Sequence, residues 1–312
     1  MKAEYLVTGG AGFIGSNIVR SLVEAGASVR VLDNLATGNL DNIRDLGERI
    51  DFQEGDIRKP SDARRATKGV RFLLHLAALP SVVQSVDDPA LSHEANATGA
   101  VNMLIAARDN GVERFVFSSS CAVYGDAPEL PKREDMLPAP LSPYAVQKLA
   151  GEYYCRVFHS LYGLRTYVLR YFNVFGPRQN PRSQYAAVIP LFIEALNSGA
   201  APVIHGAGEQ TRDFVYVEDV ARANLACCTA PDGAAGQVYN IARGQSLSIR
   251  SLAEKLLDLM QKAVRPNHVA ARAGDVPHSR ADTSKAKSLL GWNAEVPPDE
   301  GFRRTIKWFA RA

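Results

Sequence analysis

Residues 8–15 read TGGAGFIG, and this glycine-rich stretch decides the fold of the chain. An apolar run at residues 3–7 precedes it, and the segment SNIVRSLVEAG that follows repeats apolar residues at helical spacing until Gly26 ends the helix. The pattern predicts a strand, a tight turn and a helix. Gly9, Gly12 and Gly15 suit that turn, because they let the backbone approach a pyrophosphate and let the helix pack on the strand. Unpaired N–H groups at the start of the helix can then bind phosphates.

The segments after this turn extend the same pattern. A second predicted strand, SVRVLD at residues 28–33, ends in Asp33, 18 residues after Gly15. A carboxylate there can accept hydrogen bonds from an adenosine ribose diol and repels a ribose phosphate, which favours NAD over NADP. The next strand runs into Asp56 and Ile57, which are suited to hold an adenine edge.

Two further buried strands are predicted at residues 70–78 and 114–120, with a helix near residues 102–109 between them. Strands that alternate with helices indicate an α/β fold, a doubly wound parallel sheet of the Rossmann type. Ligands of such sheets bind beyond the carboxyl ends of the strands.

Composition limits the classes of protein that the chain can be. Its 312 residues, 46% hydrophobic and 22% charged, suit one large α/β domain or two coupled ones. The longest apolar runs are far shorter than the ~20 residues that cross a bilayer, and the first apolar run does not make a secretory signal. We therefore expect a cytoplasmic protein without a membrane partner. The 36 basic and 33 acidic residues are spread along the chain, which argues against a nucleic-acid partner.

The four cysteines, Cys121, Cys155, Cys227 and Cys228, show neither a CxxC spacing nor clustered histidines. This spacing argues against a structural zinc site or a disulfide framework. We expect reduced thiols that pack in the interior, and no bound metal.

A tyrosine and a lysine lie four residues apart in PYAVQK at residues 143–148, which places Tyr144 and Lys148 on one face of a helix. Ser120 lies 24 residues earlier, where a predicted strand ends at the ligand edge of the sheet. A phenol with a pKa near 10 is a poor base at neutral pH, but a nearby ammonium and a positive nicotinamide ring both favour the phenolate. We therefore predict that Tyr144 takes a proton from a sugar hydroxyl. The alternative is a packed Tyr ring beside a solvated Lys.

These residues carry a resemblance that extends over essentially the whole chain. It resembles the extended short-chain dehydrogenase/reductases, specifically the nucleotide-sugar 4-epimerases of the UDP-glucose and UDP-N-acetylglucosamine type. The motifs that match include TGGAGFIG, GDI, HLAA, NATGAVNML, SSSCAVYG, SPYAVQK, LRYFNVFGPRQ, RDFVYVEDVA and GDVPHSRADTSKAKSLLGW. The resemblance implies an NAD-binding domain at residues 1–172, to which residues 213–242 return. It implies a smaller, mixed α/β domain for the UDP-sugar at residues 173–312.

The resemblance also assigns roles to individual residues. The residues expected to bind NAD are Gly9, Gly12, Phe13, Ile14, Gly15, Asp33, Asn34, Asp56, Ile57, Leu76, Ala77, Ala78, Asn96, Tyr144, Lys148 and Tyr171. Those expected to bind the UDP-sugar are Ser120, Asn173, Val188, Val203, His205, Arg212, Arg272, Asp275 and Ser279. Guanidinium groups such as those of Arg212 and Arg272 suit paired phosphates, although either could be a solvated surface group. His205 matches a position near the uracil, with an exposed loop histidine as the alternative. The resemblance also implies a homodimer, whose interface apolar positions near Leu104 and at residues 153–161 would provide, with internal core packing of these faces as the alternative.

The residues after Ser120 favour one reaction within the superfamily. Dehydratases place an Asp-Glu pair there and UDP-glucuronate decarboxylases place a Glu nearby, whereas this chain has Cys121 and Ala122. Epimerisation at carbon 4 through a 4-keto sugar remains, and we read Cys121 as a packing residue. A UDP-glucuronate 4-epimerase, a net oxidoreductase and a non-catalytic NAD-binding regulator are the alternatives.

Ser279 bears on the identity of the sugar. In the family its position faces the group on carbon 2 of the hexose, and a small residue there leaves room for an acetamido group. We therefore expect UDP-GlcNAc and UDP-GalNAc as substrates as well as UDP-glucose and UDP-galactose, although Ser279 could merely be part of a polar loop. Galactose use and surface-polysaccharide synthesis both remain open as the pathway.

Overall fold

The computed structural model describes residues 3–181, 187–271 and 276–310. Seven parallel strands among them form one sheet in the order β3-β2-β1-β4-β5-β6-β10. These strands are β1 Tyr5–Thr8, β2 Val29–Asp33, β3 Ile50–Glu54, β4 Phe72–His75, β5 Arg114–Ser120, β6 Arg165–Tyr171 and β10 Gln237–Ile241. The predicted doubly wound parallel sheet is confirmed.

Helices cover both faces of this sheet, and consecutive residues of its central strands are buried on both sides. On β1, Leu6 and Val7 point to opposite faces and both are fully buried, in two different hydrophobic clusters. One cluster includes α1 Phe13–Glu24, α8 Val217–Thr229 and α10 Ser284–Leu290, and the other includes α2 Pro60–Thr67, α5 Gly99–Asp109 and α6 Pro143–Tyr162. Two short helices, α3 Val82–Asp87 and α4 Pro89–His93, lie between β4 and α5.

The sequence sets the ends of α6, the helix that carries the Tyr-Lys pair. Ser142 caps its first turn by accepting a hydrogen bond from the N–H of Ala145 at 3.2 Å, and Pro143 occupies the first helical position. Gly163 ends the helix with φ of 69°, a left-handed conformation that glycine adopts without strain. Tyr144 and Lys148 therefore project from the first two turns, where α6 packs against β5.

A second lobe packs around its own hydrophobic core. Its strands are β7 Asn173–Phe175, β9 Thr211–Tyr216 and β11 Ser246–Ser248 in one small sheet, and β8 Val203–His205 with β12 Asn267–Val269 in another. Its helices are α7 Val188–Asn197, α9 Ile249–Leu259 and α11 Pro298–Phe309. Apolar faces of all three helices meet β9 residues in a common cluster. The smaller mixed α/β unit that the resemblance implied is thus present.

The lobes are interleaved along the chain. After β9 of the second lobe, α8 packs against α1 and β10 pairs with β6, so the chain returns to the large sheet. Lys132, in the loop before α6, exchanges backbone hydrogen bonds with Arg280 and Asp282, both at 2.8 Å. A boundary at residue 172 stays a prediction. In the described part of the chain, every helix is too short or too polar to cross a membrane.

Candidate functional site

The glycine turn joins β1 to α1 at the carboxyl edge of the large sheet. Gly9 has φ of 71°, which favours glycine, and its carbonyl accepts the N–H of Gly12 at 3.1 Å. A Cβ on Gly15 would lie 2.1 Å from that same carbonyl oxygen. No side chain caps the start of α1, and its first turn contains no acidic residue. The first N–H groups of α1 therefore suit a negatively charged ligand such as a pyrophosphate.

Asp33 ends β2 beside this turn. Its carboxylate accepts the N–H of Ala11 at 2.9 Å and that of Leu35 at 2.8 Å. Burial raises the pKa of Asp33, and these two hydrogen bonds oppose the rise. A Cβ on Gly38 would lie 3.0 Å and 3.1 Å from the two carboxylate oxygens, so this glycine keeps the space beside them open. The sequence analysis missed Gly38, although it follows Asp33 closely.

The residues predicted to hold an adenine edge lie after β3. The Asn34 amide donates to Asp56 at 3.2 Å, and the Arg58 guanidinium donates to the same carboxylate at 2.6 Å. The hydrogen bond from Arg58 is the main reason that the pKa of Asp56 falls to about 2. Ile57 is buried next to Asp56. Arg58 therefore fixes the predicted carboxylate of Asp56, although Arg58 itself was not among the predicted site residues.

The segment after β4, Leu76 to Ala78, lies against the glycine turn. The N–H of Leu76 donates to the carbonyl of Thr8 and that of Ala77 to its hydroxyl, both at 3.2 Å. Asn96 is buried, and its amide binds both backbone groups of Leu79, at 2.8 Å and 3.0 Å. Asn96 therefore fixes the backbone of Leu79, directly after the segment that lies against the glycine turn.

The three predicted catalytic residues converge at the ends of β5 and α6. Ser120 is the last residue of β5; its hydroxyl accepts the N–H of Ala122 at 3.2 Å and lies close enough to the Tyr144 phenol to lower the pKa of that phenol. Lys148 donates to the carbonyl of Ser118 at 2.9 Å, and its Nζ lies 5.8 Å from the ring centroid of Tyr144. Tyr144 and Lys148 are both buried. The alternative of a solvated lysine is therefore wrong.

Burial governs the electrostatics of this group. It raises the pKa of Tyr144 to about 12, although the neighbouring Ser120 hydroxyl opposes the rise. Burial also lowers the pKa of Lys148 to about 8, so most molecules keep the ammonium at neutral pH. His75, at the end of β4, is kept neutral because burial and the charge of Lys148 lower its pKa to about 3. A positive charge placed beside the phenol by a bound ligand would lower the pKa of Tyr144.

The remaining predicted cofactor residue, Tyr171, ends β6 next to β5. Its hydroxyl lies 3.2 Å from Oγ of Ser118 and bonds with the amide of Asn224 at 2.8 Å and 3.0 Å. Burial raises its pKa well above the usual value. The hydroxyl is therefore neutral and acts through these hydrogen bonds.

The residues predicted to bind the UDP-sugar are less tightly grouped. Arg212, on β9, lies close enough to Cys121 to lower the pKa of that thiol, although burial raises it to about 11 overall. Asn173 begins β7, which pairs with β9. Val188 begins α7, while Val203 and His205 lie on β8, where His205 Nδ1 is 3.2 Å from the carbonyl of Ala270.

Ser279 is fixed through its backbone. Its N–H donates to Thr211 at 3.0 Å and its carbonyl accepts from Ser246 at 2.8 Å. Arg272 and Asp275 lie outside the described residues.

Two buried residues near the site were not predicted. Ser85, on α3, accepts the N–H of Tyr144 at 3.1 Å and so fixes the start of α6. Asp213, on β9, is fully buried and accepts N–H groups from Arg243, Gly244 and Ala281 at 2.9 Å to 3.0 Å. It joins β9 to the loop that carries Ser279. The sequence feature that could have pointed to Asp213 is its position directly after the predicted site residue Arg212.

Clusters of three or more His, Cys, Asp and Glu side chains that could hold a metal ion are absent from the residues that the structure describes. The glycine turn suits a pyrophosphate, and Asp33 suits a ribose. The chain's own residues fit a dinucleotide that extends from α1 to Lys148.

Comparison with known proteins identifies the family. The model of the NAD dependent epimerase/dehydratase family matches residues 5–242. A putative UDP-glucose 4-epimerase of Methanocaldococcus jannaschii is 40% identical over 305 residues, 97% of each chain. The structure of UDP-N-acetylglucosamine 4-epimerase from Methanobrevibacter ruminantium, in complex with UDP-N-acetylmuramic acid, gives a TM-score of 0.94 at 39% identity, over 100% of this chain and 99% of that one. UDP-glucose 4-epimerase from Thermotoga maritima with UDP-glucose gives 0.93 at 38% identity, over 98% of each chain. The chain belongs to the NAD dependent epimerase/dehydratase family.

Proposed function

We propose that this protein is an NAD-dependent UDP-hexose 4-epimerase. The observation that carries the proposal is the convergence of Ser120, Tyr144 and Lys148 beside the glycine turn, at the carboxyl edge of the parallel sheet. The similar proteins from M. jannaschii, M. ruminantium and T. maritima, all named 4-epimerases, support it.

Each of the three residues has a task that follows from its position. The Tyr144 phenolate accepts the proton of the sugar's 4-hydroxyl and returns it after the keto sugar has presented its other face. The Ser120 hydroxyl, which lies beside the Tyr144 phenol, binds the same sugar oxygen and aligns it with the phenol. The Lys148 ammonium stabilises the phenolate and suits the hydroxyls of a nicotinamide ribose. Bound NAD supplies the acceptor and donor of the hydrogen on carbon 4.

The surroundings of Ser120 favour epimerisation over elimination. Cys121 is a neutral thiol at neutral pH, because burial raises its pKa to about 11. The carboxylate of Asp213 acts on that thiol electrostatically, but it is fully buried and holds three backbone N–H groups. A second general acid or base, which dehydration or decarboxylation needs, is therefore not offered at this position.

The test is a turnover assay on purified protein without added NAD. UDP-glucose and UDP-galactose should interconvert, with no free NADH released. A separate assay with UDP-glucuronate tests the nearest alternative, a UDP-glucuronate 4-epimerase. Tyr144→Phe should retain NAD and lose roughly two to four orders of magnitude in turnover. Tyr5→Phe is the matched control, because Tyr5 begins β1 at the end away from the glycine turn, and this variant should show normal turnover. Near-normal turnover of the Tyr144 variant would contradict the mechanism.

We also propose that the acetylated pair, UDP-GlcNAc and UDP-GalNAc, are substrates. Ser279 is small, and both of its backbone groups are fixed, so a large side chain placed there could not move away with the loop. A pocket that admits a large group also admits a small one, so UDP-glucose and UDP-galactose should react as well. The name of the M. ruminantium enzyme supports this wider range.

A homodimer is the proposed assembly. Tyr153, Val157 and Leu161 form one stripe on α6 at helical spacing, and they are 55%, 43% and 70% exposed. Such a stripe can pair with the same stripe of a second copy about a two-fold axis. Leu104, in contrast, lies on the inner face of α5 and is fully buried, so its apolar position belongs to the core, which was the alternative, and the interface proposal rests on α6.

A further inference from the structure

The catalytic face of α6 extends one turn beyond Lys148. Glu152 follows Lys148 at the same four-residue spacing that separates Lys148 from Tyr144, so the three side chains lie in one row. The Glu152 side chain is only 4% exposed. Buried carboxylates are rare unless they are paired, and the proposed function assigns no task to this one.

Three consecutive residues at the end of β5 are tied to this row. The carbonyl of Ser118 accepts from Lys148 at 2.9 Å, and the hydroxyl of Ser119 donates to Glu152 at 2.5 Å. The hydroxyl of Ser120 lies close enough to the Tyr144 phenol to lower its pKa. Three successive residues at the strand end thus face the row, and the hydrogen bond of Ser119 with Glu152 lies between the two contacts that involve the proposed catalytic residues.

Arg170, on β6, holds Glu152 from the other side. Its Nε and Nη2 donate to the two carboxylate oxygens at 2.9 Å and 2.7 Å, and its side chain is also only 4% exposed. The guanidinium lies 4.6 Å from the ring centroid of Tyr124, whose hydroxyl donates to Asn240 at 2.7 Å. A buried ion pair adds little stability compared with apolar residues of the same size. The ion pair instead aligns three elements, because Glu152 lies on α6, Arg170 lies on β6, and Ser119, which donates to Glu152, lies on β5.

We propose that Glu152 is a positioning residue of the site: with Arg170 it anchors Ser119, and its negative charge keeps the Lys148 ammonium in place beside Tyr144. This rests on the proposed function, since it assigns Glu152 a role in the same proton transfer.

Electrostatics support the second half of the proposal. Burial lowers the pKa of Lys148 to about 8, and the charge of Glu152 opposes that fall. In the part of the chain that the structure describes, the titratable or charged groups on the elements that pack at Lys148 and α6 include Tyr144 on α6, His75 on β4, Arg170 and Tyr171 on β6, and Cys121 and Tyr124 in the turn after β5. Of these, His75, Cys121 and the tyrosines are neutral at neutral pH and Arg170 is a cation. Among these described groups Glu152 is the anion, and its charge favours the Lys148 ammonium.

The experiment compares four variants of the full chain with bound cofactor: Glu152→Gln, Ser119→Ala, the double variant Glu152→Gln with Arg170→Met, and Glu300→Gln. In Glu152→Gln the alkaline limb of the kcat profile should move about one pH unit lower, with kcat at neutral pH reduced about tenfold and KM unchanged. Ser119→Ala keeps both charges, so kcat should fall while the limb stays in place. The double variant removes both buried charges and should show the shifted limb even if Glu152→Gln alone fails to fold.

Glu300→Gln is the matched control, because it breaks an ion pair with Arg304 at 2.8 Å on the surface. It should leave both kcat and the profile unchanged. Nuclear magnetic resonance titration of isotope-labelled lysine, with Lys148→Met for assignment, reads the Lys148 pKa without turnover. A wild-type profile and kcat in a folded Glu152 variant, or an unchanged Lys148 pKa, would overturn the proposal. A wild-type protein that fails to interconvert UDP-hexoses would overturn the proposed function instead, and the lysine titration would still decide the role of Glu152.

Discussion

Gly12 and Gly15 occupy equivalent positions in the sequence motif, but the structure separates their roles. A Cβ on Gly15 would lie 2.1 Å from the carbonyl oxygen of Gly9 and 2.8 Å from the Cα of Gly10, and both contacts are backbone. A Cβ on Gly12 would meet only the same carbonyl oxygen, at 3.2 Å. We therefore predict that Gly15→Ala destabilises the fold and that Gly12→Ala mainly weakens NAD binding.

The magnitude follows from the geometry. To restore an ordinary contact, the turn would have to move by about 1 Å in Gly15→Ala, and overpacking of this kind costs about 1–3 kcal/mol or more. The better helix propensity of alanine returns about 1 kcal/mol at this helical position. In Gly12→Ala a shift of a few tenths of an ångström suffices, and the change of cap residue costs less than about 1 kcal/mol. Because both contacts of the Gly15 Cβ are with backbone atoms, the upper end of the overpacking range applies, and Gly15→Ala should be the less stable variant by about 1–2 kcal/mol.

Urea unfolding of each variant, followed by far-ultraviolet circular dichroism, measures the free energy of unfolding, and the NAD content of the purified protein measures binding. Gly233→Ala is the control, because a Cβ there meets nothing within 4 Å. A Gly15→Ala variant as stable as wild type would refute the steric reasoning. A Gly12→Ala variant with full NAD content would refute the assignment of the pyrophosphate to this turn.

Three further predictions concern specificity, pH and assembly. Ser279→Tyr should abolish activity on UDP-GalNAc while UDP-galactose turnover survives in a product assay; unchanged UDP-GalNAc activity would show that Ser279 is not the gate. Burial raises the pKa of Asp213 to about 6, so the wild-type protein should lose up to about 3 kcal/mol of stability relative to Asp213→Asn as pH rises from about 4 to 6. Denaturant unfolding of both proteins at both ends of that pH range checks the sign of this change. The same pH dependence of the unfolding free energy in wild type and Asp213→Asn would contradict the prediction. Leu161→Glu should convert the dimer into monomers in light scattering, and a wild-type protein that is monomeric at micromolar concentration would rule out the assembly.

Local patterns were sufficient to predict the sheet, the glycine turn and the Tyr144–Lys148 pair on α6. The strand-turn-helix unit follows from periodicity and glycine positions, and the Tyr144–Lys148 pair follows from helical spacing. These features depend on residues that are close in sequence, which is why they could be read from it.

Features that depend on distant contacts could not be predicted in this way. Helical periodicity places Leu104 on an apolar face but does not say whether that face meets the core or a second copy. The carboxylate of Asp213 binds backbone groups 30 and 68 residues away. The high pKa of Tyr144 likewise comes from how deeply the folded chain buries its ring, whereas the sequence revealed only the nearby cation.

The backbone pairing of Lys132 with Arg280 and Asp282 has a consequence for how the protein is made. It closes a loop of about 150 residues, and contacts of such long sequence separation form slowly, because the entropy of loop closure is lost before the contacts form. Asn240 binds the carbonyl groups of both Lys132 and Asp282, at 2.9 Å and 3.2 Å, so the same contact depends on β10 as well. A nascent chain that has released residues 1–172 from the ribosome therefore holds Ser120, Tyr144 and Lys148 without the contacts that order the loop before α6. The competent site should therefore form only after residue 282 has been synthesised and has left the exit tunnel.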